Sequence, residues 1–132
     1  MMIKKNDYVK VSEVGKNLLL VIKKNTEITQ WNVLLRIALA ISLKMDTPIV
    51  NMDIGKESNV AVEWKTFCGE SEKIFKYLLL QAYESFRRKS SEFLSYDKFV
   101  RLHIERGIKE LAKEKKLNTI VKSIQSISIG RY

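Results

Sequence analysis

Very few side chains in this sequence could make or break a bond. His103 is the only histidine and Cys68 the only cysteine among 132 residues. Acid–base catalysis and metal binding need several such groups held together, so a lone helical histidine reads as a packed or surface residue. A catalytic triad needs a nucleophile and an orienting group as well, and the sequence locates neither. One cysteine forms no intrachain disulfide and no cysteine-based zinc site within one chain, and a free cysteine is ordinarily buried and inert. No Walker pattern and no dinucleotide fingerprint occurs, because the five glycines are scattered. The residues therefore argue against an enzyme, and they imply no cofactor and no metal.

Charge carries the stronger signal. Lysine and arginine number 24 against 15 acidic residues, a formal charge of +9. A field of that sign attracts nucleic acid, anionic lipid or acidic protein whatever the fold. Three groups of cations are candidate phosphate contacts: Lys16, Lys23 and Lys24; then Arg87, Arg88 and Lys89; then Arg101, Lys109, Lys113, Lys115 and Lys116. Any single one can be a solvated face, and Glu105, four residues from both Arg101 and Lys109, is placed to offset those two. The set as a whole still needs an anionic counterpart. Arg36, on an otherwise apolar stretch, is expected to pair with Glu63 or Glu70, since an unpaired buried guanidinium is costly. Trp31 and Trp64 read as core anchors rather than base-stacking platforms.

The elements that position these residues follow from periodicity and punctuation. Tyr8 to Val11 suits a short strand, and Ser12 stands where a helix N-cap should. Val14, Leu18, Val21 and Ile22 give the helix from Glu13 to Asn25 one buried face, with Lys16 and Lys23 seven residues apart on one side. Thr29 is placed to cap the next helix, Gln30 to about Met45. That stretch is apolar on almost every face and is expected to be covered on nearly all sides, by other helices or by a second copy of the chain. Asp46-Thr47-Pro48 stops it, because proline disfavours helix before it and lacks the N–H. Ile49 to Asn59 reads as a loop, and the alternation from Val60 to Phe67 as a half-buried strand. Ser71 is placed to cap a third helix reaching Lys89, with Ile74, Phe75, Leu78, Leu79, Ala82 and Phe86 as its stripe. A fourth helix runs from about Ser95 to Lys116, and Gly107 inside it suggests a close helix crossing or a ligand approach. Leu117 to Ile129 can form a short last helix and a tail. The fold class expected is mainly α: a compact single-domain helical bundle of four or five helices with one or two short strands, spanning 1–132. No stretch reaches the roughly 18 apolar residues of a membrane span and the N-terminus lacks a signal-peptide core, so a soluble cytoplasmic protein is expected.

Three blocks, WNVLLRIALAISL at 31–43, SNVAVEWKTFCGE at 58–70 and FVRLHIERGIKEL at 99–111, resemble in order the blocks of the DndE family. That family is the small subunit of the bacterial DNA phosphorothioate (sulfur) modification system, and the resemblance runs from about Val9 to Leu117. It implies a mostly helical homotetramer that binds DNA with a preference for nicked duplex. It also implies work beside the other subunits of the system, a cysteine desulfurase, an iron–sulfur sulfurtransferase and an ATPase. The family offers no catalytic residues to carry over. Its DNA contacts are surface lysines, which Lys16, Lys23 and Lys24 match best here.

Two alternatives come from other classes. Strand, helix, turn, helix over residues 8–45 has the order of a ribbon-helix-helix repressor, whose paired strands from a dimer would read an operator through Tyr8 and Lys10. A scaffold that contacts only proteins would use the basic surface for acidic partners.

Overall fold

A computed structural model describes residues 8–113. Lys115, Lys116 and the expected helix from Leu117 to Ile129 lie outside the described residues. The order is strand β1 (Tyr8–Ser12), helix α1 (Glu13–Thr26), helix α2 (Trp31–Lys44), strand β2 (Glu57–Glu63), the short helix α3 (Trp64–Cys68) running into a 3₁₀ turn (Gly69–Ser71), then α4 (Glu72–Lys89) and α5 (Tyr96–Lys113). The class is mainly α, as expected. None of the described helices is long and apolar enough to cross a membrane.

Helix α5, and not α2, is the wrapped centre. Ten of its residues are buried, including Phe99, Val100, Leu102, Ile104, Ile108 and Leu111, whereas α2 buries five, Leu34, Leu35, Ala38, Leu39 and Ser42. The two helices cross at Gly107, where an added Cβ would overlap the backbone carbonyl of Ala38. Only a residue without a side chain lets the backbones approach so closely, which is the crossing that Gly107 suggested.

β1 and α1 also pack on α5. β1 pairs antiparallel with β2, Tyr8 opposite Glu63, Val9 opposite Val62 and Lys10 opposite Ala61, and the register then slips before Ser12 meets Glu57. Ser58 serves the slip: its hydroxyl donates to the Val11 carbonyl at 2.8 Å and accepts from the Val60 N–H at 3.0 Å. Ser12 caps α1 as expected, accepting from the Gly15 N–H at 2.9 Å.

Several expectations are corrected. The buried face of α1 is Gly15, Leu19, Ile22 and Thr26, while Val14 and Val21 are each 56% exposed. Close packing against α5 turns the small Gly15 inward, where an added Cβ would press on the Glu105 carboxylate and Val11. The N-cap of α2 is Gln30, which makes no side-chain cap bond; Thr29 is not the cap. Ser71 stands at the N-cap of α4 but likewise makes no cap bond. The strand expected over 60–67 lies at Glu57–Glu63 instead, and Trp64 begins α3. On α4 only Leu79 and Tyr83 are buried, leaving Ile74 and Leu78 of the expected stripe exposed. Arg36 forms no ion pair with Glu63 or Glu70; its Nη1 donates to the Phe67 carbonyl at 2.9 Å, so the C-terminal end of α3 satisfies the charge.

Candidate nucleic-acid interface

The two cationic sets chosen from sequence sit on elements with different neighbours. α1 packs on α5 and the strands, and α4 on α3 and α5. On α1, Lys16 and Lys23 follow one side of the helix and each is partly fixed. The Lys16 ammonium donates to the Asn59 side-chain oxygen at 2.7 Å, and that of Lys23 lies 4.0 Å from the ring centre of Trp31. Trp31 is therefore a half-buried platform for a cation as well as a packing residue. Lys24, one residue on, is exposed.

Arg87, Arg88 and Lys89 form the last turn of α4, where positive charge complements the partial negative charge of the helix end. Arg87 reaches toward Glu84 at 3.9 Å and over the Tyr83 ring at 5.8 Å. Of the six cations, Arg87 is the one with a carboxylate within 4.0 Å among the described residues. The other five have no carboxylate within 4.0 Å among the described residues.

Two of the three described members of the third cationic group meet a carboxylate. Arg101 pairs with Glu57 at 3.3 Å and Lys113 with Glu110 at 3.2 Å. Glu105 does not offset Arg101 or Lys109; it is 7% exposed, and its two oxygens accept the Ser12 N–H at 2.8 Å and the Ser12 hydroxyl at 2.7 Å. A carboxylate at the start of α1 also suits the positive end of that helix.

A half-buried polar clamp missed by sequence reasoning closes the far end of α2. Arg106 donates through Nε to the Ser42 hydroxyl at 2.8 Å, through Nη2 to the Ser42 carbonyl at 2.9 Å and through Nη1 to the Thr47 carbonyl at 2.8 Å. Ser42 Oγ, which accepts from Arg106, also shares a hydrogen bond with His103 Nδ1 at 2.8 Å. A hydroxyl oxygen accepts up to two hydrogen bonds, so either imidazole tautomer satisfies this contact. Burial, with the Arg106 charge adding to it, lowers the His103 pKa to about 4. The ring is neutral at pH 7. The spacing of Ser42, His103 and Arg106 carried no motif, because the partners are more than 60 residues apart.

Reactive groups elsewhere are quiet. Burial pushes the Cys68 thiol up to about 12, Glu72 adding to the rise and Arg36 opposing it, so almost no thiolate forms at neutral pH. The described residues contain no cluster of three or more histidine, cysteine or acidic side chains placed to hold a metal. The alternative ribbon finds β1 already paired with β2 of its own chain.

Apolar surface remains uncovered beside the charge. Leu20 and Val21 on α1 and Ile74, Tyr77 and Leu78 on α4 are exposed. Val14, Val50 and Met52, also exposed, line a cleft of about 400 Å³ between the start of α1, the segment after Pro48 and α5.

The class defined by these features is a small basic helical protein with unpaired cations on two helices and apolar strips left open. The family described as DNA sulphur modification protein DndE matches residues 8–119, and the chain belongs to that family. Among solved structures it is similar to DndE from Escherichia coli B7A, involved in DNA phosphorothioation modification. The identity is 20% and the TM-score 0.66 over 84% of this chain and 99% of that one. It is also similar to a glycine-to-lysine DndE mutant involved in DNA phosphorothioation. There the identity is 19% and the TM-score 0.60 over 82% of this chain and 98% of that one. None of the curated proteins matches the chain.

Proposed function

We propose that this chain is a non-catalytic, DNA-binding subunit of a DNA phosphorothioation system. As a homo-oligomer, a tetramer, it holds duplex DNA, nicked in preference to intact, through Lys16, Lys23, Lys24, Arg87, Arg88 and Lys89. It acts in the cytoplasm as one DndE-like domain beside the other subunits of the system. The observation that carries the reading is the set of five cations on α1 and α4 without a carboxylate in reach among the described residues, in a chain of net charge +9. Lysine and arginine presented this way exchange the counterions of a phosphate backbone for fixed charge, whatever the base sequence. The open apolar strips on α1 and α4 support assembly, and four copies multiply the cationic field.

Fluorescence anisotropy with intact and nicked duplexes of unrelated sequence tests this reading, on protein whose mass is fixed by light scattering. Tighter binding to nicked duplex is expected, with a slope of log affinity on log salt of about −0.9 per phosphate contacted. Lys24→Glu combined with Arg88→Glu and Lys89→Glu is expected to weaken binding at least tenfold while the mass stays that of four chains. Unchanged affinity removes the assignment of these residues, and no DNA binding near physiological salt leaves the protein-only scaffold. Selection of a specific operator by a dimer would point to the repressor.

A further inference from the structure

A second cleft, of about 600 Å³, opens where the ends of α2 and α4 meet the middle of α5. Its inner wall is aromatic. Phe86 packs 5.4 Å from Phe99, and Phe99 lies 4.7 Å from His103, edge to face. Its mouth is polar, with Ser85, Ser90, Ser91 and Lys89 from the last turns of α4 and the residues after it. A planar ring and an anionic oxygen would thus meet different parts of one space.

His103 adds a polar group to the aromatic wall. The side chain is 6% exposed, and its Nδ1 edge is committed to Ser42. His103 also lines the cleft, and among the described residues its side chain is hydrogen-bonded only at Nδ1. A neutral imidazole among aromatic rings offers the edge of a base one donor or one acceptor, according to its tautomer. Arg106 also lines the cleft, but its donors are held by Ser42, Thr47 and Pro48, so it contributes field rather than a direct bond.

We infer that this cleft takes one unstacked nucleotide of a DNA strand, its base against Phe86 and beside the His103 imidazole, and its phosphate at Lys89, Ser90 and Ser91. This rests on the DNA-binding reading above. A base beside a strand break costs less to unstack than one inside an intact duplex, so the cleft engages first at such ends.

The test uses the full chain and duplexes carrying 2-aminopurine next to a nick, at the same place in an intact duplex, or several base pairs from the nick. A fluorescence rise of about threefold is expected for the nick-flanking probe alone, as the base leaves its stack. Ser85→Trp fills the cleft without altering any cation. It is expected to abolish the rise and lower affinity for nicked duplex about tenfold, leaving intact duplex within about twofold. Circular dichroism and melting show that the variant is folded; if it is not, Met45→Trp, on the cleft wall and outside the proposed contacts, takes its place. Binding without a rise at the nick, or an equal rise in the filled variant, overturns the cleft and leaves the lysine reading intact. No DNA binding in any arm overturns both. Deoxyadenosine monophosphate that binds the wild-type chain while the nick probe stays silent assigns the cleft to free nucleotides, and also overturns the proposal.

Discussion

Gly107 and His103 are the two residues whose replacement is most informative. A methyl group at 107 would enter the Ala38 carbonyl, a backbone group that cannot move aside without separating α2 from α5. Gly107→Ala is therefore expected to cost about 3 kcal/mol or more, the upper end for overpacking, read as a drop in the urea midpoint. His103 has a pKa lowered from 6.5 to about 4 in the folded chain. The unfolded state binds the proton more readily, so the stability associated with the neutral ring is complete above pH 6.5. It is lost as pH falls from there toward about 4. The slope corresponds to roughly 3 kcal/mol across that window. His103→Gln should flatten the pH dependence of the melting temperature between pH 6.5 and 4, and an unchanged curve would mean the ring is not the source.

The end of α2 depends on one side chain from another helix. Arg106 holds the Ser42 carbonyl, the Ser42 hydroxyl and the carbonyls at Thr47 and Pro48, spanning the break at the proline. Lysine has no planar fork to reach these acceptors together, so Arg106→Lys is expected to cost about 1.5–3 kcal/mol. The Met45 amide, bonded to the Ser42 carbonyl at 3.1 Å, should lose hydrogen-exchange protection first. At this scale much was legible: Pro48 marked the stop, Ser12 the cap and Gly107 the crossing. The inward face of α1 was not, because two of its four buried residues, Gly15 and Thr26, are not large apolar side chains and leave no periodic trace. Helix α3 was hidden because five residues are too few for a helical period to show over the alternation that precedes them. Of the site, the cations were readable as charge. The clamp and the clefts were not, since they join residues far apart in the chain.

For the whole molecule, assembly and charge should separate experimentally. Tyr77, 62% exposed on α4, lies away from the last turn that carries the cations. Tyr77→Lys with Ile74→Lys is expected to reduce the mass measured by light scattering while the circular dichroism spectrum stays helical. DNA affinity should then fall through lost valence rather than lost contacts. An unchanged mass would place the interface between copies elsewhere. The Glu105 carboxylate that receives Ser12 comes 93 residues later in the chain, which bears on how the fold is reached during synthesis. As the ribosome delivers the N-terminal strand and first helix, the acceptor that completes their junction does not yet exist. α2 meanwhile waits for Gly107 to form its crossing. The nascent chain therefore carries two unfinished apolar helices until α5 emerges, and closure waits for that later helix rather than spreading from the first.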